Sequence, residues 1–170
     1  GNPNNLNVED LAEINNLVRV INTNLNNQSN GSPNSDFSSL FEYSNEAISI
    51  QELVYDENGK AIDYKFIQLN PLAAALLNLQ RDKNLGIKAT QLYPSVHPAH
   101  LEIYENVANG GQSASFETYD PRVDKQFHLS VFSLAPGKFA TIIKDITERK
   151  KVEKDLRKSA IIIDQFQDPV

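Results

Sequence analysis

The 170-residue chain contains no cysteine, no methionine and no tryptophan. Without thiols it can form no disulfide, no cysteine-ligated zinc site, no thiolate nucleophile and no cysteinyl-flavin adduct. A reducing, cytoplasmic setting fits that absence. No run approaches the roughly 18 consecutive apolar residues that cross a bilayer, and the N-terminus lacks the basic-then-apolar order of a signal peptide. The expectation is a cytoplasmic protein with no direct membrane contact. Positive charge is also scarce: 16 Lys and Arg against 22 Asp and Glu leave a net charge of −6, which argues against a nucleic-acid partner. No glycine-rich phosphate loop is present, because Gly110-Gly111 lies between a helical and a strand pattern without the GxGxxG or GKS/T context. Kinase, cyclase or NTPase chemistry is therefore not expected in this chain. Beginning at Gly1 and lacking methionine throughout, it reads as a piece cut or processed from a longer protein. With 40% apolar residues, it can build one domain with flanking chain.

Residues 1 to 34 hold twelve asparagines, yet Leu11, Ile14, Val18, Ile21 and Leu25 recur at three- and four-residue steps. That is a short a/d seam, so residues 1–28 read as an amphipathic helix that lies on its own domain or pairs with a second copy. Residues 29–36, within the polar stretch QSNGSPNSD, read as a linker. From Phe37 the pattern changes. Ala47 to Tyr55 favours a strand, Asp56 to Lys60 supplies turn residues, and Ile62 to Leu69 alternates with Ile62, Tyr64, Phe66 and Gln68 on one face, which predicts a β-hairpin. Asn70-Pro71 is a helix start, since asparagine caps free amides and proline has no amide to satisfy; LAAALLNL then reads as a short buried helix. Gly86 and Pro94 punctuate short pieces, and Leu101, Tyr104, Val107 and Ala108 mark a helix ended by Gly110-Gly111. Three more strands are expected at 113–119, 126–134 and 138–144, the last two joined by Ala135-Pro136-Gly137. The order implies an antiparallel sheet in an α+β domain. From Thr147 a charged helix follows, with Glu153–Arg157 and Lys151–Asp155 at i,i+4 and an apolar stripe through Val152, Leu156 and Ile163.

The histidines are the candidate catalytic or metal-ligating groups. His97 and His100 are three apart but flank Pro98, and no further ligand lies near enough to complete a metal site. His128 alternates to the face opposite Phe127, Leu129 and Val131. A small stand-alone α+β enzyme could use His97, His100 or His128 as base with Asp63 or Asp124 beside it. Two helical extensions leaving toward neighbouring segments argue against that reading.

Three segments, SSLFEYSNEAISI, DYKFIQLNPLAAALLNL and FATIIKDITERKKVEKDL, together resemble the PAS sensor family from about Ser38 to Ser159. The last is the most specific, a core strand running through D-I-T into a charged helix. The resemblance implies a five-stranded antiparallel sheet of order 2-1-5-4-3, short helices on one face, flanking N- and C-terminal helices, and a cavity between sheet and helices. It divides the chain into the PAS domain at 37–146 and, at 147–170, a linker helix with the start of a second PAS domain, where AIIIDQFQDPV parallels SLFEYSNEAI.

Within that frame, Phe66, Leu76 and Tyr104 with Phe116, Phe127, Leu129 and Ile142 would bound the cavity, which would take a small, mostly apolar ligand or be a plain packed core. Covalent flavin is excluded for want of cysteine. Haem is the lesser alternative: His100 stands one residue from the position of a haem-ligating histidine in some relatives, Leu101 occupies the matching place, and one helical residue turns a side chain by about 100°. The implied function is a sensory or dimerisation module, not itself an enzyme, in a signalling protein such as a sensor histidine kinase with neighbouring PAS or kinase-type domains. Asp145, Ile146 and Thr147 would relay the signal, either Asp145 with Glu148 or Thr147 alone capping the outgoing helix. A ligand-free scaffold is the third reading.

The heptad stripe generates one prediction. An apolar seam of five residues in water must be covered, and the expected cover is a second copy in a homodimer. Sedimentation velocity should show a dimer that Ile14→Lys with Ile21→Lys converts to monomer; unchanged sedimentation places the contact elsewhere.

Overall fold

The computed structural model describes residues 34–93 and 100–166. The predicted helix at 1–28, most of the linker, and His97 lie outside them. A helix, α1 (Asn34–Glu42), begins inside the segment read as linker. The polar Asn-Ser-Asp run that suggested flexible chain is equally what a first helical turn prefers.

The hairpin forms as expected. Strands β1 (Ala47–Tyr55) and β2 (Ala61–Leu69) pair antiparallel. Their turn closes because Asp56 Oδ1 accepts from the amides of Asn58 and Lys60, both at 2.9 Å, an Asx-turn that leaves the left-handed position to Gly59 (φ 78°). The predicted inward face of β2 is only half right. The register passes from Val54↔Asp63 to Tyr55↔Ala61 and from Ile50↔Gln68 to Gln51↔Phe66, so Ile62 and Ile67 are bulged residues. Each bulge reverses the side-chain alternation. Ala61 and Tyr64, and again Phe66 and Leu69, therefore face inward at three-residue spacing, whereas Ile62 and Gln68 are exposed.

Short helices follow: α2 (Pro71–Leu76), α3 (Arg81–Asn84), α4 (Ala89–Leu92) and α5 (Leu101–Ala108). The helix predicted from LAAALLNL is buried on one side only. Ala73, Ala74 and Leu77 pack inward while Leu72 remains 39% exposed, since a single surface helix offers the core one stripe. The meander β3 (Ala114–Asp120), β4 (Lys125–Ala135) and β5 (Lys138–Asp145) completes the sheet. The order is β2-β1-β5-β4-β3 with every pairing antiparallel. At the β4–β5 turn Gly137 has φ 74°, and a Cβ there would stand 3.3 Å from the Tyr55 hydroxyl.

The sheet is covered on both faces. Helices α2 to α5 pack on one, against Ala47, Leu53, Phe127, Val131, Phe139 and Ile143. On the other, Phe41 of α1 joins Ile48, Ile50, Phe132, Ala140 and Ile142. An Arg81–Glu42 ion pair links α3 to α1. Last comes α6 (Thr147–Phe166), with no buried residue along it. It stays helical through 160–166, the stretch read as the start of a second domain; Leu40 and Phe41, the counterparts of Ile162 and Ile163, are helical too. Glu153 approaches Arg149 and Lys150 (3.8 and 3.9 Å) rather than the predicted Arg157.

Asn70 joins the layers. Fully buried, it caps α2 through Oδ1 to the Ala73 amide (2.9 Å), and the same oxygen accepts from the Ile48 amide (3.0 Å). Its Nδ2 donates to the Glu46 carbonyl (2.7 Å), and its own amide donates to Ile48 O (3.0 Å). Replacing Asn70 with Ala removes a cap and strands buried polar groups, so unfolding free energy should fall by about 2–4 kcal/mol. Urea denaturation should show a lower midpoint at unchanged slope; a loss within about 0.5 kcal/mol would show that the node is dispensable.

Candidate functional site

A cavity of about 130 Å³ lies between the sheet and the helices. Its floor is the inward face of the three central strands: Ser49 and Gln51 on β1, Thr141 and Ile143 on β5, Phe127 and Leu129 on β4. Tyr64 and Phe66 of β2 form one wall, and Leu77, Ala89, Tyr93 and Tyr104 form the other. His100, Thr118, Asp120 and Arg122 stand toward the β3–β4 end.

The polar floor satisfies itself. The Gln51 amide oxygen accepts from Ser49 Oγ (2.8 Å), and its nitrogen donates to the carbonyls of Ser49 and Phe139 (3.1 and 3.3 Å). The tyrosines differ. The Tyr93 hydroxyl is buried and has no hydrogen-bond partner among the described residues. Burial pushes its pKa up to about 12 even with the Arg122 guanidinium nearby, whose carbon lies 3.6 Å from the ring centroid. Burial likewise raises Tyr64 and Tyr104 well above the ordinary phenol value, so all three remain protonated at neutral pH. The rings of Tyr64 and Tyr104 meet edge to face at 5.3 Å, and Tyr104 stacks on Phe139 at 4.7 Å.

The same strands hold the start of α6. Asp145 Oδ1 accepts from the amide and hydroxyl of Thr147 (3.0 and 2.5 Å), while Thr147 Oγ1 accepts from the Gln126 amide of β4 (3.0 Å). The expected alternatives are thus replaced by a third arrangement: Asp145 binds Thr147 rather than Glu148, and the Thr147 hydroxyl is turned to the sheet. Ile146 is buried, donates its amide to Gln126 O (2.9 Å) and accepts from the Lys150 amide (2.9 Å). Burial would raise the Asp145 pKa, but hydrogen bonds from Lys125 (2.6 Å) and Thr147 outweigh it and hold the carboxyl below its usual range. On β3, Glu117 binds both Arg149 (2.5 Å) and Lys150 of α6.

No protein-family model matches the chain, and no curated protein does. Among solved structures it is similar to an RNA-binding light-oxygen-voltage receptor at 14% identity and TM-score 0.53, with 75% of this chain covering 37% of that one. The chain thus spans just over a third of that receptor's length. Two further similarities are to a PAS domain of an HTR-like protein from Haloarcula marismortui (21% identity, 66% of this chain and 96% of that one, TM-score 0.42) and to a domain of a sensory box sensor histidine kinase/response regulator from Geobacter sulfurreducens (20% identity, 68% and 100%, TM-score 0.42). The chain has the PAS fold. Its sheet order is the one that the sequence resemblance implied.

Of the residues expected around the PAS cavity, Phe66, Tyr104, Phe127 and Leu129 line it. Leu76 and Phe116 pack beside the core without reaching the cavity. Ile142 is on the wrong face, in the cluster with Phe41. On β5, Phe139 to Ile143 are all buried, so no polar alternation marks which side is inward. Thr141 and Ile143 take that role. Missed in the sequence were Tyr64, Tyr93 and Arg122 as cavity groups; an aromatic beside a Pro-punctuated segment was the only signal for Tyr93.

The two described histidines, His100 and His128, do not converge. His128 Nε2 meets Ser115 Oγ at 2.7 Å, on the sheet face away from the cavity as its alternation predicts. His100, immediately before α5 at φ 65°, places Nε2 3.0 Å from Thr118 Oγ1 and its ring 4.5 Å from Phe116. Asp63 is engaged with Thr90 (2.5 Å) and Asp124 with Tyr119 (2.7 Å). A cavity of about 130 Å³ has room for one small ring.

Burial lowers the His100 pKa from 6.5. The unfolded chain then binds this proton more readily than the folded one, so stability falls as pH drops from about 6.5 toward the depressed folded value and the contribution levels off below it. Carboxylates such as Asp145 and Glu117, also held low, act in a separate, more acidic window. Urea melts between pH 7.5 and 5.0 should show this first decline, and His100→Asn, which tolerates a left-handed backbone, should flatten it. An unaltered slope in the variant assigns the decline to other groups.

Proposed function

We propose that this chain is a cytoplasmic sensory module of a longer signalling protein of the sensor histidine kinase type, and not itself an enzyme. It holds a small molecule between sheet and helices and transmits the state of that core to α6. The carrying observation is that β4 and β5 serve both ends of the path. Phe127, Leu129, Thr141 and Ile143 line the cavity, and Gln126 and Asp145, farther along the same two strands, hold Thr147. Phe127 is directly opposite Asp145 in the register, so a shift of the cavity floor displaces the helix anchor by backbone continuity.

The magnitudes suit a switch. A capping interaction contributes about 0.5–2 kcal/mol, small against the whole domain yet comparable to the roughly 1–3 kcal/mol that couples sites in allosteric proteins. Helix α6 has no buried residue, so it can move without unpacking the core. The family resemblance of FATIIKDITERKKVEKDL supports a following domain, and the N-terminal heptads support a homodimer; neighbouring PAS or kinase-type domains complete the proposal.

In the parent protein, Asp145→Ala and Thr147→Ala should each leave the circular dichroism spectrum and cooperative unfolding in place while altering or uncoupling output activity. Unchanged output and unchanged signal response in both folded variants would reduce the joint to an ordinary helix start.

A further inference from the structure

Resting on the reading of the cavity as a sensory site, we infer that its ligand is a neutral, single-ring molecule carrying one hydroxyl, a simple phenol in chemical class. Size is the first constraint. An apolar cavity of about 150 Å³ accommodates a single benzene ring, and the space here is about 130 Å³. Shape is the second. Phe66, Tyr64, Tyr104 and Phe127 line the space, and Tyr64 meets Phe66 and Tyr104 edge to face, a geometry that aromatic pairs favour.

Polarity selects within the aromatics. A buried hydroxyl without a partner costs about 1–3 kcal/mol, and the Tyr93 hydroxyl is in that state. Tyr64 and Tyr104, on the two walls of the same cavity, carry further hydroxyls. Each is a donor and an acceptor. A ligand hydroxyl complements them in both senses, whereas a hydrocarbon leaves Tyr93 unpaired. Charge excludes the acid. The guanidinium at the cavity end, Arg122, is already paired with Asp120 and stacked on Tyr93, and Asp120 also lines the space. A carboxylate would enter without an uncommitted cation and would lose its hydration.

The test is a titration of the whole chain with phenol, toluene and benzoate, followed by ¹H–¹⁵N correlation spectra. Phenol should saturate, shift amides around Phe66, Leu77, Tyr104 and Leu129, and bind at least about tenfold more tightly than toluene or benzoate. Tyr93→Phe removes a hydroxyl that holds nothing in place, so the fold survives; it should weaken phenol about five- to tenfold and leave toluene unchanged. Toluene as tight as phenol, benzoate tightest of the three, or phenol affinity unaltered in both Tyr93→Phe and Tyr104→Phe would each overturn the ligand class. So would the absence of saturable binding by phenol. Xenon then separates the two readings: shifts at the same amides under xenon pressure leave the cavity available to a different ligand, and their absence removes the sensory reading as well.

Discussion

One buried amide, that of Asn70, is asked to end a strand, begin a helix and hold a neighbouring strand in register. A carboxamide can do this because it presents an acceptor with two lone pairs and a donor from one rigid group. Oδ1 serves the helix amide of Ala73 and the strand amide of Ile48 together, and Nδ2 reaches the Glu46 carbonyl. In the apolar interior each of these backbone groups would otherwise lack water. The path from β2 into α2 is thereby tied to the beginning of β1, and the helical layer is set over the sheet at one end. Proline at the next position reinforces the arrangement by starting the helix without an amide to satisfy.

From that anchor the helices span the sheet but do not fill it. At the far end α5 is docked by other polar contacts, Glu105 accepting from the Ala61 amide (3.0 Å) and Asn109 from the Tyr55 hydroxyl (3.0 Å). Between the two attachments lie large aromatic side chains with polar ends. Rings of this size bury much apolar surface yet pack with fixed geometry, and the phenol oxygens resist close approach to hydrocarbon. The cavity is the result of anchoring the layer at both ends and lining its middle with tyrosine.

The central strands of the sheet are covered on both sides. Alternate residues of β5 face the cavity and the α1 cluster, so neither face can shift alone in a close-packed interior. The strand ends are then the compliant places. There the contacts change from apolar packing to a few oriented hydrogen bonds and ion pairs at Asp145, Thr147 and Glu117, which are the bonds α6 depends on. Ile146 is the packed residue within this polar joint and gives it a fixed pivot.

Much of the fold was legible locally. The Asp56–Lys60 turn, the Asn70-Pro71 helix start, the strand boundaries and the exit at Asp145 to Thr147 each rest on chemistry within a few residues, and such interactions are present in sequence order. The orientation of side chains was legible only where one face met polar surroundings. It failed at Ile62 and Gln68, because bulges set by pairing with β1 reversed the alternation, and at Ile142, because a strand buried on both faces carries no polar mark of direction. Helix α1 was hidden by a polar run that reads as linker, whereas what seats it is Phe41, packed into the cluster on the outer sheet face. The cavity was legible only in part: the family resemblance placed Phe66, Tyr104, Phe127 and Leu129 around it, but not Tyr64 or Tyr93, because whether an aromatic residue fills space or borders it depends on how far apart the packed layers are held.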